Sequence, residues 1–354
     1  MKLDEGHVYI LNEEDDRTGR SDYYKIGMVS KDRTVKDRIE RDHQVGNPRR
    51  IIDVHSFHSD APFLVERYLH KKFAKSRVRR EWFRLTEEEL EQVKQEAKSY
   101  DDVIGPKVAA VRGFSSNESN GSMISLSGDE EKEISDIHKE LVDLNIKKQE
   151  IDYQISIITE FLKLSTNKNR GGIDGITTVN VRGEGDPKFK HQLFRDSNDA
   201  NKLIHEKFCT KKKLSGTFKC SEIKAKSKNH PSLHKLEKDA KEKYTADKAT
   251  VDNVIDGTVP RTTLLENKHE EYINLIVEKE EIAAEIFTRE LEIMKVCEDN
   301  EGIEGICVWK RQEKLEFDET SFKRAHPELF NDTTYHGAST AGVSISVNKS
   351  RNYV

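Results

Sequence analysis

Two apolar seams, each written at alternating three- and four-residue spacing, leave little freedom in the stretches they cover. In the first, Ile134, Ile137, Leu141, Leu144, Ile151, Ile155, Ile158 and Leu162 follow one another for nearly four heptads, and Lys148 takes the one place that breaks the pattern. In the second, Leu275, Lys279, Ile282, Ile286, Ile293 and Val296 keep the same rhythm, which Arg289 interrupts. A strand alternates every second residue, so this spacing belongs to helices, and its length predicts coiled-coil seams. Lysine stands at the equivalent seam place in both copies. Each helix then meets a glycine turn. Gly171-Gly172-Ile173-Asp174-Gly175-Ile176 follows the first, and Glu301-Gly302-Ile303-Glu304-Gly305-Ile306 the second. β-rich stretches come next, Thr177 to Val181 and Cys307 to Lys310. The arrangement reads as an internal duplication of helix, glycine turn and strand. Two such helices either pair antiparallel with each other or drive homo-oligomerisation, and the sequence leaves both open.

The remaining composition fits small domains rather than one large core. Charged residues make up 35% of the 354 positions and hydrophobic ones only 34%, against about 25% and 45–50% in an average globular domain. No run of ~18 apolar residues is present, so a membrane span is not expected. The start, Met1-Lys2-Leu3-Asp4-Glu5, is too charged for a signal peptide. Four cysteines in a chain this long do not form a disulfide framework, and a cytoplasmic protein is expected. The net charge of −5 conceals a segregation. Residues 182–248 carry 18 lysines and arginines against 10 acids, while the first hundred residues hold 21 against 20.

The N-terminal 98 residues hold the aromatic side chains of a compact unit. Val8 to Leu11 and Tyr23 to Gly27 read as strands, joined by a long polar loop from Asp15 to Asp22. Val35 to Asp42 reads as helix, Ile51 to Phe57 as a third strand, and Ala61 to Ala74 as a second helix with Phe63, Leu64, Leu69 and Phe73 apolar. Glu81 to Leu85 is a short strand-like return. Thr86 then caps a further helix opened by Glu87, Glu88 and Glu89. Tyr24 should face away from Lys25 across the sheet.

Five of these elements carry chemistry in order: His7-Val8-Tyr9, Lys25-Ile26-Gly27, Arg38, Glu66-Arg67-Tyr68-Leu69-His70-Lys71-Lys72-Phe73 and Glu81-Trp82-Phe83. Together they resemble the GIY-YIG nuclease superfamily in its phage-type branch, where the second tripeptide is often K-I-G. The resemblance covers about residues 6–86. It departs in three places: His7 stands where the first tripeptide has glycine, with Gly6 just before it, Lys25 replaces the second tyrosine of the named motif, and the gap between the two strands is longer than usual. The resemblance implies a metal-dependent endonuclease with Glu66 holding Mg²⁺ or Mn²⁺. Tyr9 would be the general base and Arg38 the phosphate clamp. A tyrosine serves as base only if a cation lowers its pKa, normally about 10, and Lys25 on the adjacent strand is the expected partner. His43 and His70 are candidates for assisting the leaving group or binding phosphate. Trp82 and Phe83 are expected in the core. DNA is the expected partner, in a bacterial cell and possibly phage-encoded. An RNA nuclease, or a non-catalytic DNA-binding or assembly protein that keeps the fold, are the alternatives.

Downstream, Lys211-Lys212-Lys213, Lys219, Lys224, Lys226 and Lys228, interleaved with Phe208 and Phe218, suit sequence-blind phosphate contact. His205, Cys209, Cys220, His230 and His234 lack the spacing of a zinc knuckle. Trp309-Lys310, Phe317-Asp318, Phe322-Lys323 and His326-Pro327-Glu328-Leu329 resemble the tail module of phage recombination exonucleases of the lambda exonuclease class, and imply a docking or DNA-contact module. The resulting plan is α/β. A small mixed-sheet nuclease-like domain (1–98) precedes a flexible Gly/Ser linker (99–128). A largely α region of long helices and short β elements follows: a first repeat (129–181), a basic segment (182–262), a second repeat (263–335) and a flexible tail (336–354).

Overall fold

The computed structural model describes residues 3–223, 254–339 and 341–349, with six single positions between 232 and 242. Lys224, Lys226, Lys228, His230 and His234 lie outside the described residues. The architecture is mixed α/β as expected, an N-terminal antiparallel sheet followed by a mostly helical region. The chain gathers into two compact units, each assembled from separated stretches. One combines 1–152, 218–233 and 274–309, and the other 153–217, 234–273 and 310–354.

The first unit begins with β1 (Gly6–Asp15) and β2 (Gly19–Ser30), paired antiparallel. The expected long loop is much shorter than the sequence suggested. Both strands run on as an exposed polar ribbon, and Asp15 Oδ1 accepts the N–H groups of Arg17 and Thr18 to make the turn. Polarity here marks strands without a covered face, not a loop. Buried Asn12 ties the ribbon's base by donating from Nδ2 to the Ser21 and Tyr23 carbonyls. Helix α1 (Val35–Arg38) starts with a capping box between Thr34 and Asp37 and widens into a π turn over Ile39–His43. Strand β3 (Arg50–Ser59) flanks β1 on its other side. Helix α2 (Pro62–Lys72) follows, then β4 (Arg77–Arg79) and β5 (Trp82–Arg84). The sheet order is β3-β1-β2-β5-β4.

Helix α3 runs from Glu87 to Ser115, opened by a capping box of Thr86 and Glu89. Residues 99–115, expected as linker, are its second half. Buried Asp101, Ile104, Val108 and Val111 continue the helical face begun by Leu90, Val93 and Ala97. The pair Gly105-Pro106 and many charges disguised this face, yet the proline sits inside the helix. Short β6 (Met123–Ile124) then precedes α4 (Gly128–Ser165).

The two seam helices, α4 and α7 (Thr263–Cys297), are both present. Within the first unit their ion pairs fix an antiparallel course. Glu140 meets Arg289 at 2.8 Å, Lys147 meets Glu278 at 3.2 Å, and Asp152 meets Lys279. Lys148 also reaches Asp152 at 3.6 Å, so the lysines at the equivalent seam places of the two helices share one carboxylate. Polar seam residues of this kind set register at some cost in stability.

Each end of the repeat closes with the same clasp. In the first unit the turn after α7 carries β11 (Gly302–Ile303) and β12 (Cys307–Val308), and β11 pairs parallel with β6. Asn120 N–H donates to Asp299 O, Glu301 N–H to Ser122 O and Glu304 N–H to Ile124 O. In the second unit the turn after α4 repeats this bond for bond. Ile255 N–H donates to Lys168 O, Gly171 N–H to Gly257 O and Asp174 N–H to Val259 O. The strand preceding one helix thus always pairs with the turn following the other. Both turns need glycine, since a Cβ on Gly172 would lie 2.5 Å from Thr177 O and one on Gly302 2.2 Å from Cys307 O. Strand β10 (Lys219–Cys220) completes the first unit's small sheet beside β12.

Among the described residues the second unit contains three strand pairs. Strands β7 (Thr177–Arg182) and β15 (Gly342–Val347), β8 (Gly185–Phe189) and β14 (His336–Ser339), and β9 (Lys211–Gly216) and β13 (Arg311–Glu316) each pair antiparallel. Most of the expected tail is therefore strand, and the alternation Gly342-Val343-Ser344-Ile345-Ser346-Val347 is its signature. Much of the basic segment is likewise folded. Helices α5 (His191–Ser197), α6 (Asp199–Lys207), α8 (Glu319–Ala325) and α9 (Pro327–Phe330) lie along it and after β13. Phe189, Phe194 and Phe322 form an aromatic core with Phe208, Phe317 and Tyr335 against it. Asp318, from the C-terminal resemblance, caps α8 by accepting from Ser321 N–H.

Candidate active site

Antiparallel partners directly opposite one another share a sheet face. Tyr9 faces Gly27, while Lys25 faces both Leu11 and Trp82. One face of the sheet therefore holds Tyr9, Leu11, Lys25, Gly27 and Trp82. The other holds Tyr24 and Phe83, and Tyr24 donates from its hydroxyl to Glu87 at 3.3 Å. The glycine of the K-I-G triplet has a steric purpose. A Cβ at Gly27 would lie 2.6 Å from the Tyr9 hydroxyl oxygen, so only glycine lets the tyrosine ring lie across the neighbouring strand.

Tyr9 is 1% exposed. Burial pushes its hydroxyl up to about 12, and the hydrogen bond and charge of Arg38 offset only part of that. Its second neighbour is His43, with Nε2 at 3.5 Å from the hydroxyl. Burial, then the charges of Lys25 and Arg38, push His43 down to about 4, so the ring is a neutral acceptor at pH 7. The π turn of Ile39–His43 spaces Arg38 and His43 about one turn apart; such turns often mark functional positions. Asp42, four residues past Arg38, pairs with it and with Arg33 at 3.0 Å.

Lys25 pairs with Glu81 rather than with Tyr9, which corrects the expected tyrosine–lysine couple. The register explains this: Lys25 sits two residues from the tyrosine's cross-strand partner and opposite Trp82, whose predecessor is Glu81. Burial works to raise the Glu81 carboxyl, but the charge and hydrogen bond of Lys25 outweigh it and hold it low. The cation beside the tyrosine is Arg38.

Glu66 is 6% exposed on α2, and burial raises its carboxyl to about 7, with Arg67 offsetting and Glu81 adding to the shift. Among the described residues no donor hydrogen-bonds to it; Arg67 Nε stands at 3.9 Å. A buried carboxylate without a donor, close enough for its charge to act on Tyr9, suits a hard divalent cation, which binds through carboxylate oxygen. Among the described residues no group of three or more potential ligands gathers, so phosphate and water would complete the shell.

His70 is placed differently from the expectation. Arg77 donates to its Nδ1 at 2.8 Å, so Nε2 carries the proton and donates to the Ile26 carbonyl at 2.9 Å. Burial, then Arg77, push it down to about 3. Both ring nitrogens are spent, Nε2 on the β2 carbonyl of Ile26 and Nδ1 on Arg77 of β4, which leaves neither for a leaving group. Trp82 is half-buried and Phe83 fully buried, as expected of core residues. Glu81, Asp42 and Arg77 were missed as site residues; the i,i+4 spacing of Arg38 and Asp42 is the signal that could have found one of them.

A family model, that of the T5orf172 domain, matches residues 6–98. This is a GIY-YIG-like domain associated with phage nucleases, and it points to a nuclease-like, DNA-related role for that part of the chain. Comparison with curated proteins gives no match, and comparison with solved structures gives none either. Among the described residues no helix is long and apolar enough to cross a membrane.

Proposed function

We propose that residues 6–98 form a metal-dependent endonuclease of the K-I-G type that hydrolyses DNA phosphodiester bonds. The observation that carries this reading is the grouping of Tyr9, Arg38 and His43 beside the Lys25–Glu81 pair and the donor-poor carboxylate of Glu66. Glu66 would hold Mg²⁺ or Mn²⁺, which when bound supplies Lewis acidity and neutralises phosphoryl charge. The chain's own residues then move the proton. Tyr9 takes one from the attacking water while passing its own to His43 Nε2, which is neutral and within reach. Arg38, hydrogen-bonded to the Tyr9 hydroxyl, steadies the negative charge that builds on that oxygen while the two transfers cross, and offers its remaining N–H groups to the phosphate. Lys25, held in place by Glu81, adds a fixed positive charge. The Lys211–Lys213 strand supports a further reading, that the C-terminal region contacts nucleic-acid backbone or a partner.

Nicking of supercoiled plasmid tests the proposal, with wild type, Glu66→Ala and Tyr9→Phe compared in Mg²⁺ and in EDTA. Wild type should cut only with metal, and each variant should lose on the order of 10²–10⁴-fold, the usual worth of acid–base assistance. Absence of metal-dependent cutting at every salt concentration would favour a DNA-binding role without chemistry. Equal cutting by wild type and Glu66→Ala would remove Glu66 from the site. Preferential cutting of structured RNA in a parallel lane would make the substrate RNA.

A further inference from the structure

The clasp after α7 contains a chemistry its twin lacks. Cys297, on the last turn of α7, places Sγ 3.5 Å from Sγ of Cys307 at the start of β12, and both side chains are buried. In the twin, Thr166 Oγ1 lies 3.1 Å from Thr177 Oγ1. The surroundings correspond as well. The Ile173 N–H donates to Thr177 Oγ1 at 2.7 Å, as the Ile303 N–H donates to Cys307. Asn169 Nδ2 donates to the Thr166 carbonyl, as Asn300 Nδ2 donates to the Cys297 carbonyl. The same backbone therefore brings two β-substituents into contact whatever atoms they carry. The scaffold, not any attraction between sulfurs, holds the two thiols together.

We propose that Cys297 and Cys307 are a site of reversible oxidation, converted by peroxide to an intramolecular disulfide that fastens the end of α7 to β12. Two steps balance the reaction. Cys307 thiolate attacks one oxygen of hydrogen peroxide, the O–O bond breaks, and a sulfenic acid and hydroxide result; the proton released from Cys307 converts the hydroxide to water. Cys297 then attacks that sulfur, the S–O bond breaks, and a second water leaves with the Cys297 proton. Two thiols are oxidised and one peroxide is reduced to two waters.

The geometry explains why Cys307 is the sulfur attacked first and Cys297 its partner. Hydrogen bonds from Cys297 and the Ile303 N–H hold the Cys307 thiol below its ordinary pKa, and thiolate character decides reactivity. Cys220 lies opposite Cys307 on β10, but burial pushes its thiol upward. Cross-strand Cβ atoms are also about 4.5–5.5 Å apart, beyond the mean of about 3.8 Å that a disulfide needs. Peroxide is small enough for a site this closed, where a bulky disulfide oxidant is not. This inference stands apart from the nuclease reading.

The test uses the full-length reduced chain, treated with graded hydrogen peroxide, alkylated, and digested with trypsin without reductant. Cleavage after Lys295 and Lys310 places both thiols on one peptide. The expected product is that peptide, unalkylated and lighter by two hydrogens, while Cys209 and Cys220 remain alkylated. Dithiothreitol should restore the alkylated form. The oxidised chain should also melt at a higher temperature, and this rise should vanish with dithiothreitol. The twin clasp supplies the control: Cys297→Thr, Cys307→Thr together should keep the reduced chain's melting temperature and show no peroxide-induced rise. Should that variant fail to fold, the wild-type peptide mass still decides. Two alkylatable thiols at peroxide doses that already oxidise Cys209, or a Cys220–Cys307 link, would overturn the proposal.

Discussion

Glu66 is the residue at which fold and function pull in opposite directions. Its carboxyl rises from 4.5 to about 7 because α2 buries it without a donor. Between those values the folded chain holds a proton that the unfolded chain has released, so stability falls as pH rises through that window. The shift corresponds to about 3 kcal/mol lost by pH 8 in metal-free buffer. Glu66→Gln should flatten this slope in urea unfolding followed from pH 4 to 8. Mg²⁺ at pH 8 should restabilise wild type and leave the variant unchanged. Identical pH profiles for the two proteins would contradict the assignment. Gly27→Ala makes a second demand on the same site. Its methyl would displace the Tyr9 ring, so plasmid cutting should fall about as far as in Tyr9→Phe, with a stability loss of about 1–3 kcal/mol from overpacking. Wild-type cutting by Gly27→Ala would show that the ring position is not critical. Tyr9, Arg38 and Glu66 were readable because motif order exposes them. The Lys25–Glu81 pair was not, since strand register decides it and one sequence does not state register.

At the scale of elements, the seam helices were the most readable part of the chain and the ribbon strands the least. Leu141, Ile151, Ile158 and Leu162 are buried at the spacing that announced them. By contrast, Asp15 to Asp22 looked like a loop because hairpin strands exposed to water carry no apolar alternation. The second half of α3 was hidden because a helix covering a small domain needs only one buried residue per turn, and its other faces are charged. Sequence could not choose between pairing within the chain and between chains; the shared Asp152 records the intrachain choice. Asp152→Asn should leave Lys148 and Lys279 without their common anion. These groups are about one-third exposed, so solvent screens the loss to about 0.5–1 kcal/mol. The loss should shrink as salt rises, and a loss unchanged by molar salt would mean the pairing is not electrostatic.

At the scale of the whole molecule, the N-terminal sheet layer is not a bead on a string. The compact unit that contains it also contains 274–309 from far along the chain. Arg67 pairs with Glu280, Lys71 with Glu285 and Lys107 with Glu292, and the Phe63 ring meets Phe287 edge-on at 6.2 Å. The first two cations lie on the helix that carries Glu66, so α7 holds the site's supporting helix from outside the domain-family match. An independent domain followed by a linker would unfold without disturbing α7. A shared core predicts otherwise. Amides of α2, α3 and residues 274–297 should then exchange with deuterium at one common opening free energy, because they belong to one cooperative unit. Phe287 is 3% exposed, so Phe287→Ala should cost about 3–5 kcal/mol and lower the opening energy of α2 and α7 together. If Phe287→Ala loosened α7 while α2 kept its protection, the sheet layer would be an autonomous domain, and α7 only a neighbour to it.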